Sequence, residues 1–335
     1  MRRRVLYIAN FTPSRGGISG QVEYLMHYMS QDDRYSVEVF STKGSSFQRL
    51  MHFFSLLRKA QDFDVLHVHG CSFRGFLPVV YGVIVGKIIK KRIIVTYHGG
   101  DAKVFFQKHA KWARYWLMKA DERVVLSGFL KAVFEEFQMP ARVIPNVVEF
   151  PKDVYVEKKE LKPKFISVRH LRELYNIPCI LRAFKQVQQH FPEASLTVLG
   201  EGDKRVELES MVVDMGLSNV SFIGQVPNSE VSRYLKMNDI FLSSPRIDNM
   251  PVSLLEAFSA GLLVVSSNVG GVPYMVEHRR TGLLFEYDND VEMADQILWA
   301  LTNQDSSLQI IRNAKEEVAK YSWEKIGEQI KALYE

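Results

Sequence analysis

Short unbroken apolar runs alternate along this chain with longer stretches in which apolar residues return every three or four positions. In the first half the runs are Val5–Ala9, Val37–Phe40, Val65–Val68, Ile93–Tyr97, Val124–Leu126 and Val143–Ile144. In the second half they are Phe165–Val168, Leu196–Leu199, Val220–Ile223, Ile240–Leu242, Leu263–Val265 and Leu283–Phe285. A run that is apolar on both pleat faces suits a strand covered by helices on both sides. The alternation therefore predicts an α/β chain with one parallel, doubly wound sheet in each half. Between the halves, Phe150 to Lys164 reads FPKDVYVEKKELKPK, charged and aperiodic with two prolines, and is predicted to be an interdomain linker. From Leu308 to Glu335 the pattern is helical.

The length of 335 residues and a hydrophobic content of 47% fit two domains of similar size. The only cysteines, Cys71 and Cys179, are far apart and in no metal-ligand spacing, which argues against a zinc site and for a reducing compartment. The basic amino terminus carries an apolar run of only five residues, Val5 to Ala9, so it reads as a first strand rather than a signal peptide. Phe76 to Ile89 is apolar but short and contains Lys87, which argues against a membrane span. A cytoplasmic protein, soluble or peripheral to a membrane, is the expectation. Residues 1–150 hold 22 Lys and Arg against 12 Asp and Glu, and residues 151–335 hold 21 against 26, a balance of +10 against −5. A basic half suits an anionic partner or is a solvated surface; no nucleic-acid partner is expected.

Candidate chemistry falls at the ends of the predicted strands, where open parallel sheets bind ligands. Gly16-Gly17 follows the first strand and opens a helix, and His67, His69 and His98 end the third and fourth strands. Those histidines carry both a ligand-facing and a structural reading. In the second half Asp248 precedes a helix that ends at Gly261, and Glu256 lies inside it. Eight residues at about 1.5 Å rise separate the carboxylates by ~12 Å along one helix edge, comparable with the span from sugar to ribose across a diphosphate. The helix amino end adds free N–H groups and partial positive charge. A solvated Glu256 on an ordinary amphipathic helix is the plainer reading. Gly270-Gly271 after the next strand lets backbone approach a ligand. Gly200-Glu201-Gly202 begins like a dinucleotide fingerprint, but Arg205 stands at the third glycine position and the turn follows the domain's second strand, which argues against an oxidoreductase. Asp288-Asn289-Asp290 looks like a metal-binding D-x-D but reads as a surface loop, so no metal site is expected.

The run from Ser243 to Pro273 resembles the donor motif of family 4 retaining glycosyltransferases, E-x7-E followed by an apolar strand and a G-G-x-P-E loop. Here Asp248 replaces the first Glu and Tyr274 the last. The resemblance extends through the Gly16-Gly17 loop with Arg15 beside it, the Thr96-Tyr97-His98-Gly99 turn with Asp101 after it, and Asn146 in V-I-P-N. Arg169-His170-Leu171 resembles a G-R-L segment whose Arg, with a Lys five residues on, steadies the donor diphosphate. Strict spacing places His170 and Tyr175 at those two positions, with Arg169 and Arg172 close enough to substitute. Gly200-x-Gly202 resembles the turn beside the donor base, and YSWEKIGEQIKALYE the family's closing segment.

This resemblance implies a GT-B fold. Its two facing Rossmann-like domains would be residues 1–150 and 165–310, joined by a linker over 151–164, with helices over 311–335 returning toward the first domain. It implies transfer of a sugar from a nucleoside-diphosphate sugar, with a UDP-sugar expected, to a glycan or lipid-linked acceptor, with retention and no cofactor. The implied catalytic residues are His98, Asp248 and Arg169. The implied donor contacts are Gly16, Gly17, Arg169, His170, Gly200, Gly202, Asp248, Asn249, Met250, Pro251, Glu256, Gly270 and Gly271. The acceptor side comprises Arg15, Gly17, His98, Asp101 and Asn146. A catalytically silent nucleotide-sugar-binding module of the same fold is the alternative.

Phe47, Leu50, Met51, Phe54 and Leu57 recur at helical spacing among Arg49, His52, Arg58 and Lys59. That helix is expected either to pack on the first sheet or, with Lys87, Lys90, Lys91 and Arg92 nearby, to lie on an anionic membrane.

Overall fold

The computed structural model describes residues 2–13, 17–44, 46–148 and 154–335, with the backbone alone over 46–51. Two compact units form, one from Met1–Glu149 with Tyr321–Glu335 and one from Phe150–Lys320. In the first unit β1 (Arg3–Ala9), α1 (Ile18–Ser30), β2 (Tyr35–Ser41), α2 (Ser46–Ala60), β3 (Val65–Gly70), α3 (Leu77–Ile88), β4 (Arg92–Tyr97), α4 (Ala102–Leu117), β5 (Glu122–Val125), α5 (Gly128–Glu136) and β6 (Arg142–Val143) follow in order. The sheet is parallel with strand order β2-β1-β3-β4-β5-β6.

The second unit contains β7 (Lys164–Val168), α6 (Ile177–His190), β8 (Ser195–Leu199), α7 (Arg205–Asp214), β9 (Val220–Gly224), α8 (Asn228–Lys236), β10 (Ile240–Ser243), α9 (Val252–Ala260), β11 (Leu263–Ser267), β12 (Leu283–Phe285), α10 (Asp290–Thr302) and α11 (Gln304–Val318). Its sheet, also parallel, runs β12-β11-β10-β7-β8-β9. Each predicted apolar run lies in or overlaps a strand, because each sheet is covered on both faces. In the first unit Leu6, Ile8, Leu66 and Val68 are buried with Val79, Phe105 and Phe134, while Val5, Tyr7 and Val65 are buried with Val22, Leu25, Ile326 and Ile330.

The second of those clusters explains why the carboxy terminus belongs to the first unit. Helix α12 (Trp323–Tyr334) contributes Ile326, Ile330, Leu333 and Tyr334 to the face that α1 also covers, and Val148 N–H donates to Tyr321 O at 3.1 Å. The returning segment starts at Tyr321, since α11 puts Ile310 and Ile311 into the core of the second unit. The described part of the expected linker, 154–163, is attached to that second unit. Leu161 is in its core, Val156 N–H donates to Ala260 O, and Lys158 forms a largely buried pair with Asp239 at 2.5 Å.

The neighbours of β1 are β2 and β3, so the chain reverses its direction of travel across the sheet between β1 and β3. The equivalent reversal in the second unit lies between β7 and β10. Helices leave opposite faces there, opening a crevice beyond the carboxyl ends of the strands. The candidate residues gather at these two places.

Candidate active site

In the second unit Arg169 follows the last residue of β7. Its Nη1 lies 3.1 Å from Asp248 Oδ2, its Nη2 donates to Ser243 Oγ at 3.3 Å, and its guanidinium lies 5.3 Å from the Tyr175 ring centre. Arg169 Nε is buried without a hydrogen-bond partner among the described residues. A buried donor of that kind is normally satisfied, and an anionic oxygen would satisfy it. Tyr175, standing at the family's lysine position, therefore supports the arginine through its ring rather than supplying a second charge. His170 is exposed.

The other carboxylate is close in electrostatic terms. Burial pushes the Glu256 carboxyl up to about 6, and the charge of Arg169 pulls it back. Arg169 is thus the cation that both Asp248 and Glu256 feel. Asn249 and Met250 are buried, Asp248 Oδ1 accepts from Asn249 N–H at 2.8 Å, and Pro251 sits at the N-cap of α9 without a side-chain cap. Gly261, at φ 81°, ends the helix as its sequence predicts.

Glycines of this unit are demanded by its own chain. A Cβ on Gly200 would lie 1.9 Å from Arg169 O, on Gly202 2.1 Å from Leu171 O, on Gly270 2.1 Å from Asp248 O and on Gly271 1.7 Å from Asn249 O. Their role is to let the β8 turn and the β11 turn press against the two segments that carry Arg169 and Asp248. At Gly270 and Gly271 the close backbone approach that the sequence predicts is made, among the described residues, to this chain's own Asp248 and Asn249. Gly17 differs: at φ 67°, ψ −135° it needs glycine for its backbone, and a Cβ there would meet nothing within 4 Å among the described residues. It opens α1, whose first turn carries no acidic residue. Arg15 and Gly16 lie outside the described residues.

In the first unit the histidines form one buried array. His67 Nε2 and Thr96 Oγ1 are 2.7 Å apart, His67 Nδ1 and Tyr334 Oη 2.8 Å, and His69 Nδ1 and His98 Nε2 2.9 Å. Burial lowers His67 and His98 to about 3, and His69 well below its usual range, so all three are neutral near pH 7. His69 Nε2 is buried without a partner among the described residues. With Gln21, Thr96 and Asn146 these histidines line a cavity of about 20 Å³, room for about one water and not for a sugar. Asp101 sits at the N-cap of α4 without a side-chain cap bond. The Tyr334 contact, 267 residues from His67, had no local signal in the sequence.

Asp288 and Asp290 are both held by Arg182, at 2.7 and 2.8 Å, while Asn289 caps α10. Tyr274 is 55% exposed. Among the described residues no group of three or more His, Cys, Asp or Glu is arranged to hold a metal ion.

Residues 152–317 match the family described as Glycosyl transferases group 1, and residues 9–150 that described as Glycosyltransferase Family 4. The N-acetyl-alpha-D-glucosaminyl L-malate synthase of Bacillus anthracis is 25% identical over 290 residues, 82% of this chain and 75% of that protein. The Phosphatidyl-myo-inositol mannosyltransferase of Mycobacterium leprae is 24% identical over 288 residues, covering 82% of this chain and 74% of its own length. Among solved structures, Anabaena Alr3699/HepE in complex with UDP-glucose superposes with a TM-score of 0.81 at 16% identity over 98% of each chain, a likeness of fold. Each of the two matched regions carries one doubly wound unit with its polar cluster at the strand ends, and the chain belongs to the group 1 glycosyltransferases of family 4, with the GT-B fold.

Proposed function

We propose that this glycosyltransferase moves a sugar from a UDP-sugar to the hydroxyl of a glycan or lipid-linked acceptor, with retention of anomeric configuration and without a divalent metal, at the cytoplasmic face of a membrane. The carrying observation is Arg169, a cation buried at the reversal point of the second sheet, held by Asp248 and Ser243 with Nε unsatisfied. As the bond from the anomeric carbon to the diphosphate breaks, negative charge grows on the leaving oxygen. A guanidinium already fixed in a largely water-free setting stabilises that charge with little reorganisation. The acceptor oxygen bonds to the anomeric carbon on the face the diphosphate leaves, and its proton passes to the departing phosphate oxygen.

In this reading Asp248 accepts from sugar hydroxyls, the uncapped N–H groups of α9 meet the diphosphate, and Glu256 accepts from the ribose. Neutral His98, steadied by His69, faces the acceptor side. Two solved neighbours of the same fold are complexes with UDP and UDP-glucose, which supports this donor class. Incubation with a panel of nucleotide sugars, followed by proton NMR of the product's anomeric coupling, tests the reading. The expected outcome is a product with the donor's configuration, formed equally in chelator. An inverted product, or activity that needs added Mg²⁺ or Mn²⁺, overturns it. Tyr175 and Tyr274 at positions usually charged also suit a silent binding module; donor binding without turnover would establish that reading instead.

A further inference from the structure

We propose that the outer face of α4, together with Phe73 beside it, is a docking surface for an anionic lipid bilayer. This builds on the membrane setting proposed above but not on the transfer chemistry. Helix α2, for which core packing and membrane contact were both open, places Leu56 in the core and packs Phe53 and Leu57 against it, leaving Phe54 as its exposed aromatic among the described side chains. The side chains of Phe47, Arg49, Leu50 and Met51 lie outside the described residues. Helix α4 shows the reverse arrangement.

Its inner side is core, with Phe105, Phe106, Ala113 and Leu117 buried, yet Val104 (45%), Trp112 (43%), Tyr115 (56%) and Met118 (41%) are exposed. Trp112, Tyr115 and Met118 recur every three residues, and Val104 lies before His109. The backbone departs from helical geometry at His109, but exposed residues continue on both sides of it. Phe73 is 44% exposed and held at φ 54°, a backbone region that a bulky residue seldom occupies, with its ring on Phe105 at 5.4 Å. Trp112 is anchored on Phe76 at 5.0 Å. Phe73 and Trp112 therefore stand on the core.

Charge selects the occupant. From Ala102 to Ala120 there are five Lys and Arg and no Asp or Glu. Lys108 and Lys111 have no ion pair among the described residues, and Lys119 lies over the Tyr115 ring at 4.6 Å. Exposed aromatic and aliphatic side chains interleaved with lysines match the headgroup boundary of an anionic bilayer, which takes apolar groups below and cations above. A second copy would bring the same basic surface against itself across a two-fold axis, a repulsive arrangement. No helix among the described residues is long and apolar enough to cross a membrane, so the contact would be peripheral.

The test is co-sedimentation of the full chain, without donor, with phosphatidylcholine vesicles containing or lacking phosphatidylglycerol, at low and high salt. Binding should favour the anionic vesicles by about tenfold or more and weaken with salt. Lys108→Glu with Lys111→Glu should lower it by about tenfold or more, and Trp112→Ser with Tyr115→Ser should lower it even where salt has already screened the charges. Lys108→Gln with Lys111→Gln serves if charge reversal disturbs folding, which thermal unfolding would reveal. Transfer to a soluble acceptor should be unchanged in all these variants, so loss of vesicle binding and loss of catalysis are read separately. Equal binding to neutral vesicles, no binding, or wild-type binding by the charge variants overturns the proposal. So does a dimer in sedimentation velocity that Trp112→Ser dissolves.

Discussion

The two units share a topology but handle polarity at the reversal point in opposite ways. In the first, three neutral histidines, a threonine and a tyrosine are hydrogen-bonded around a space for about one water, with His69 Nε2 buried and unbonded among the described residues, and burial keeps the histidines uncharged. In the second, charge is retained: Arg169 is pinned between Asp248 and the field of Glu256. A buried cation with one unsatisfied donor is poised for an anion, whereas a neutral array offers directed hydrogen bonds without attracting charge. Under the proposed transfer, the second half would take the diphosphate and the first the uncharged hydroxyl. The glycines follow suit, with no described residue within 4 Å of a Cβ at Gly17 and backbone carbonyls against Gly270 and Gly271.

The largest effect should come from removing the charge. Arg169→Ala is expected to lower kcat/KM by about 10²–10³-fold, as loss of a preorganised charge stabiliser does, while His98→Ala keeps donor affinity; steady-state kinetics with varied donor would show whether the division between units is real. Next come the glycines. Gly271→Ala should cost the second unit more than about 2 kcal/mol, because its Cβ meets a carbonyl and the loop must move. Gly17→Ala should cost only about 1 kcal/mol of backbone strain and act chiefly on substrate KM; thermal unfolding alongside kinetics separates the two.

Within the second unit, Asp248→Ala should reduce kcat by about tenfold or more, with Glu256→Gln mainly raising donor KM by a similar factor. Wild-type kinetics in both would remove the assignment of the two carboxylates.

The smallest effect is a pH dependence of opposite sign in the two halves. His67 and His98 bind protons near 6.5 when unfolded but only near 3 when folded, so their contribution is complete above 6.5 and is lost as pH falls toward about 3. Glu256, raised from 4.5 to about 6, contributes below 4.5 and loses that contribution as pH rises through about 6. On acidification from about 6 to 4.5, amide exchange should show β3 and β4 losing protection while α9 holds or gains it. Parallel changes in both units would dissolve the contrast.

The twelve strands of the described residues were legible because a parallel sheet covered by helices favours short apolar runs, and the one longer run, Phe76 to Ile89, proved to hold helix α3. Asp248, Glu256 and the Gly270-Gly271 turn could be picked out together because they lie around one strand–helix–strand stretch. The neutral state of the histidines, the Tyr175 ring under Arg169 and the carbonyls behind Gly270 and Gly271 were not, for each depends on what a distant segment brings within a few ångströms. The amphipathic pattern of α2 left a core face and a membrane face equally open, and its described apolar residues went mostly to the core, while α4 kept exposed apolar side chains. Periodicity states that a helix has an apolar side, and only packing decides whether that side is covered. Tyr334, 267 residues from His67, makes the same point for chemistry: sequence determined the elements and their local turns, and tertiary structure alone set burial, hence charge state and hydrogen-bond partner.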